Sequence, residues 1–171
     1  MPDLREQLER CFAGRVCLMG LGNTGLGDDG LGVRLAETLA GAGVPDVMVA
    51  GTTPDRFVGR VADGGFDALI FLDAVEFGGA PGSAVFLNAE EMAARFPQIS
   101  THKISLGLLA RWVESGGSTR AWLLGVQPES LKPGAALTTT VRRTLDALAG
   151  LVLEAVSRQD GPFARMEVAA R

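Results

Sequence analysis

The chain has 171 residues, 47% hydrophobic, 21% charged and 6% aromatic, the make-up of one globular domain, residues 1–171, with a sizeable core. Its net charge of −4 and the lack of any basic block argue against nucleic acid or an anionic membrane as a main partner. No stretch approaches the roughly 20 apolar residues of a membrane span, and the charged N-terminus MPDLREQLERCFAGR lacks a signal-peptide core, so the cytoplasm is the expected compartment; a monomer is the default state.

A leading helix is expected near 3–12, followed by an apolar strand at 15–20 (RVCLMG) and a helix at 31–41. A strand at 46–51 (DVMVAG) precedes a helix at 55–63, and a third strand is read at 67–74 (DALIFLDA). A fourth strand, 83–88 (SAVFLN), leads into a helix at 89–96, which Asn88 and Glu91 start as a capping box. A helix at 103–116, a fifth strand at 120–126 (RAWLLGV) and a helix at 138–157 complete the chain. Most strands are near-continuously apolar, as expected where both faces of a sheet are covered. Cys11 and Cys17 have no second pair with which to build a zinc site, and are expected to be free, buried or half-buried thiols.

Alternating strands and helices predict a three-layer α/β fold with a mainly parallel sheet. One connection departs from that rule. Only about nine Gly- and Pro-rich residues separate the third and fourth strands, too few for a parallel crossover, so the fourth strand should run antiparallel to the third. This topology brings five loops to the carboxyl edge of the sheet: the glycine loop after the first strand, GTTPD (51–55), the turn after Asp73, PQISTHK (97–103) and GVQPES (125–130). Ligands of open α/β sheets bind at that edge.

The first of these loops, GLGNTGLGDDGLG (20–32), contains the letters G-x-G-x-x-G of a dinucleotide site. The rest of that fingerprint is missing. The helix pattern begins only after Gly30, two carboxylates stand where a phosphate would sit, and the second strand ends in Val49 and Ala50 where an acid should bind ribose. The pair Asp28–Asp29 admits two readings. Asp28 can cap the following helix, and a second acid on a Gly-rich turn can be presented outward as an oxygen ligand for a divalent metal. Asp73 ends an apolar run and needs a partner at the strand end. His102 is the single histidine, which rules out a cage of several imidazoles. Converging with Asp29 and Asp73, it makes an open two-carboxylate, one-imidazole metal site, which would lose occupancy below about pH 6.5 as the imidazole protonates. No serine occupies a GxSxG elbow, and a two-aspartate acid protease would require Asp29 and Asp73 to share a proton.

These residues resemble the hydrogenase maturation endopeptidases, which remove a C-terminal extension from the large subunit of nickel–iron hydrogenases. The resemblance covers about residues 15–157 and rests on GLGNTGLGDDGLGVRLAE, GTTPD, FLDAVEFGGAPG, STHKISLGLL and LLGVQPESLKPGAALT in that order. It implies a phosphorylase/hydrolase-like three-layer α/β/α fold with a five-stranded mixed sheet of order 2-1-3-5-4, strand 4 antiparallel. It also implies an aspartyl-type endopeptidase in which Asp29, Asp73 and His102 form the catalytic and metal-contacting set. The metal would be nickel already carried by the precursor and used as a recognition element, with no nucleotide cofactor. It leaves the nucleophile unassigned, between water or a carbonyl activated by the metal and acid–base work by the same carboxylates. Some relatives carry an acid where Val49 and Ala50 stand. Loops 51–60 and 125–135 would grip the precursor, with Phe57 and Leu131 as candidate anchors and core packing as the competing reading for both. The other functions to weigh are a non-catalytic metal-binding or chaperone-like domain that docks the precursor, and a nucleotide-binding Rossmann-like domain.

Overall fold

A computed structural model describes residues 3–96 and 105–159. In chain order the elements are α1 (Leu4–Cys11), β1 (Val16–Leu21), a 3-10 turn (Gly27–Gly30), α2 (Leu31–Gly41), β2 (Val47–Gly51), a second 3-10 turn (Pro54–Arg56) and α3 (Val58–Ala62). They continue as β3 (Ala68–Ala74), β4 (Ala84–Asn88), α4 (Ala89–Arg95), α5 (Leu106–Ser115), β5 (Arg120–Val126) and α6 (Thr139–Gln159).

The five strands form one sheet of order β2-β1-β3-β5-β4. β1 lies parallel to both β2 and β3, and β3 lies parallel to β5. β4 runs antiparallel to β5, Ala84 opposite Val126 and Asn88 opposite Trp122. The short Gly-rich connection therefore reverses the chain as expected, and the order matches the one implied by the family resemblance.

Alternate residues of the central strands feed two cores. Val16, Leu18, Ile70, Leu72, Leu124 and Val126 face α1, α2 and α6, where Leu8, Leu35, Leu145 and Val152 meet them. Cys17, Met19, Leu69, Phe71 and Leu123 face the other way, against Val61, Met92, Leu109 and Val113 of α3, α4 and α5. This is the period-two pattern of a strand buried on both faces. β1 and β3 are buried at every position. β2 and β4, at the two edges, are not: each keeps only one fully buried residue. Their continuous apolar letters reflect two-sided packing near the middle of the layers, while an edge strand has a neighbour on one side only. Cys17 is buried and Cys11 half-buried, both as free thiols. Asn88 and Glu91 form the expected capping box at the start of α4, the side chain of each accepting the other's backbone N–H at 2.9 Å. Among the described residues no helix is long and apolar enough to cross a membrane.

Candidate active site

The carboxyl ends of β1 and β3 build the floor of the site. α2 sits directly on them, because Gly32 has no side chain. A Cβ there would lie 1.9 Å from the carbonyl oxygen of Leu72 and 2.5 Å from that of Leu21. Helix and sheet could not approach so closely with any larger residue.

Asp73 is the penultimate residue of β3, paired in register with Gly125 of β5, and is 3% exposed. Asp29 lies in the 3-10 turn before α2 and is 2% exposed. Gly22, the first residue after β1, lies between them. It has φ +113°, and a Cβ on it would come within 1.8 Å of the Asp29 carbonyl oxygen and 3.7 Å of Asp73 Oδ1. A side chain here would both strain the backbone and collide with the turn. Gly22 also donates its N–H to the carbonyl of Gly51, fastening the end of β1 to the end of β2. The next residue, Asn23, donates its backbone N–H to Asp29 Oδ2 at 2.8 Å. Asp29 Oδ1 makes no hydrogen bond among the described residues.

The structure thus brings Asp29 and Asp73 to one place at the carboxyl edge. His102 lies outside the described residues, and among those described no three acidic, cysteine or histidine side chains form a group able to hold a metal ion. One expectation needs correction. The turn does not present a carboxylate to bulk solvent, since both aspartates lie beneath the loops around them.

Asp28 needs a second correction. The residue before α2 is Gly30, and no side chain caps that helix. Asp28 turns instead toward the loop 127–138 and is fully buried. Its Oδ2 accepts the backbone N–H of Glu129 at 2.9 Å, that of Ser130 at 3.0 Å and the hydroxyl of Thr138 at 3.0 Å. Its Oδ1 accepts the backbone N–H of Thr138 at 2.7 Å. Four donors on one buried carboxylate offset its loss of hydration. Thr138 immediately precedes α6, so Asp28 ties the start of that helix to the site turn.

Gln127 holds the other wall. Its side-chain oxygen accepts the backbone N–H groups of Phe77 and Gly79 at 2.9 and 3.2 Å, pinning the loop that follows Asp73. Neither Thr138 nor Gln127 stands out in the sequence, because each acts on residues 48 to 110 positions away. Asn23, inside the glycine loop, meets Asp29 through its backbone N–H, a contact that residue type does not reveal, while its side chain accepts the N–H of Gly25 at 2.9 Å. Of the two candidate anchors, Leu131 is 39% exposed, whereas Phe57 is half-buried against the α3–α5 core. A shallow cavity of about 330 Å³ adjoins the site, lined by Gly22, Asn23, Val33, Val49 and Thr52 among others.

A family model for hydrogenase maturation proteases matches residues 33–155, most of the chain. The hydrogenase 2 maturation protease of Escherichia coli K12 is 34% identical over 155 residues, spanning 86% of this chain and 93% of that protein. The chain belongs to the hydrogenase maturation protease family. It is accordingly a peptide-bond hydrolase, and its fold agrees with solved members. The NiFe hydrogenase maturation protease HycI from Thermococcus kodakarensis KOD1 superposes with a TM-score of 0.78 at 29% identity, over 88% of this chain and 99% of that one. The hydrogenase maturating endopeptidase HybD of E. coli gives 0.72 at 32% identity, over 86% and 94%. In this maturation protease the Gly-rich segment is a close-packed joint between β1, β3 and α2 that carries Asp29.

Proposed function

We propose that this protease removes the C-terminal extension of a nickel–iron hydrogenase large-subunit precursor once nickel has been inserted, with Asp29, Asp73 and His102 as its metal-recognising set. The observation that carries the reading is the meeting of Asp29 and Asp73 around Gly22, in a member of this family. Nickel here belongs to the substrate. Two carboxylates and one imidazole are an incomplete ligand set on their own, and the precursor's own ligands complete it. Coordination energy is then gained only with loaded precursor, which is how discrimination against the unloaded form arises. The Asn23 N–H, donated to Oδ2, orients the Asp29 carboxylate at the site. Leu131, exposed on the loop beside the site, serves as a contact for the precursor. The reaction is set in the cytoplasm, with the protease acting as a monomer and without a nucleotide.

The test is to incubate the purified protein with nickel-loaded and nickel-free precursor and measure product masses. Loss of the C-terminal extension from the loaded form alone is the expected result. If neither form is shortened, the protein does not process this substrate. Equal cleavage of both forms would remove nickel from the recognition.

A further inference from the structure

Asp28 is the most heavily bonded side chain at the site and has no part in the proposed chemistry. We infer that Asp28 is a positioning residue, which clamps the site turn to the loop 127–138 and thereby sets the placement of the Asp29 carboxylate. The inference rests on the reading of Asp29 as a functional residue, and its structural half can be tested apart from that reading.

The clamp has two sides. On the outer side, Asp28 accepts four hydrogen bonds from Glu129, Ser130 and Thr138, and its own N–H donates to the carbonyl of Ser130 at 2.9 Å. A further bond runs from the N–H of Gly134 to the carbonyl of Gly25 at 2.8 Å. On the inner side, the carbonyl of Asp29 packs on Gly22 and its Oδ2 accepts the Asn23 N–H. Asp28 and Asp29 occupy consecutive positions of one four-residue turn, so freeing the first on its outer side releases the second on its inner side. The chemistry of the clamp demands a carboxylate. Both of its oxygens face donors only, and an asparagine would turn its amide hydrogens toward the N–H groups of Glu129 and Ser130 or that of Thr138. Asp28→Asn should therefore fail nearly as badly as Asp28→Ala. A residue acting through helix capping would tolerate the change.

Two measurements on the full chain test this. The first is amide exchange by NMR. In Asp28→Asn the N–H groups of Glu129, Ser130 and Thr138 lose protection, and so does that of Asn23, by about tenfold or more. A purely local role at the loop 127–138 would leave Asn23 as protected as in the unaltered protein, and that result overturns the inference. The second is processing kinetics on nickel-loaded precursor, well below the melting temperature of each variant. The expected change is a fall in kcat/KM of about 10- to 100-fold, as for residues that orient metal-contacting groups. Thr138→Val, which keeps the backbone donor and loses the hydroxyl, should fall between, and should add little to Asp28→Asn in the double variant. Unchanged kcat/KM in Asp28→Asn also overturns the inference. Should the unaltered protein not cleave the precursor, the proposed function fails, and the Asn23 exchange still decides whether Asp28 positions Asp29.

Discussion

Adjacent in one turn, Asp28 and Asp29 have opposite surroundings. Asp28 is saturated by four donors, whereas Asp29 keeps one oxygen without a hydrogen bond among the described residues. With one N–H donated to a carboxylate that has about four lone-pair sites, Asp29 retains the capacity to bind a substrate group or ion, whereas Asp28 does not. Asp29→Ala, Asp73→Ala and His102→Ala should each abolish processing of loaded precursor. For Asp29 the loss need not come from unfolding. Its side chain accepts one backbone N–H, and losing that bond costs about 1–3 kcal/mol, within the total stability of an ordinary domain. Processing assays paired with urea melts check this. A variant that is folded and still processes at a near-normal rate removes that residue from the site.

The elements around the site were legible in the sequence to different degrees. The helices over Leu31–Gly41 and Ala89–Arg95 and the five strands follow from apolar runs and cap chemistry, with boundaries within a residue or two. The antiparallel course of β4 follows from chain length alone, because about nine residues cannot make a crossover. What could not be read were the ties between distant loops. Gln127 illustrates this, since nothing near it in sequence shows that its side chain meets Phe77 and Gly79. Removing that acceptor in Gln127→Ala leaves two part-buried N–H groups without partners, at a cost of about 1–3 kcal/mol. The damage should appear as faster amide exchange at Phe77 and Gly79, in the loop just after Asp73. Gln127→Glu keeps an acceptor in place and should be milder in both readouts. Equal exchange in all three proteins would mean that the backbone bonds of Gln127 with Gly82 and Ser83 hold the loop unaided.

For the whole molecule, the two cores separate cleanly because β1 and β3 alternate their side chains between two helix layers, and that alternation is hidden in a continuous apolar run. Residue type singled out Asp29 in the Gly-rich turn and Asp73 at the end of a strand, but their geometry was hidden, since the part played by Gly22 depends on how closely the turn closes over it. A further property of the molecule follows from what the cores contain. Burial raises the Cys11 thiol to about 11, and burial together with the negative charge of Asp46 raises that of Cys17 to about 12, against 9.0 for a free thiol. Between pH 9 and 11 the unfolded chain loses these two protons while the folded chain retains them. The unfolded state then binds fewer protons, so stability falls as pH rises. The contribution is intact below pH 9 and declines from there toward pH 11 to 12, with a slope of up to about 1.4 kcal/mol per pH unit for each thiol that stays protonated. Urea melts at pH 8 and pH 10.5 of the unaltered protein and of Cys17→Ala measure it. The variant should be less stable at both pH values because of the cavity left in the core, and should lose less between them. Parallel pH dependence in the two proteins would assign the alkaline loss to other groups.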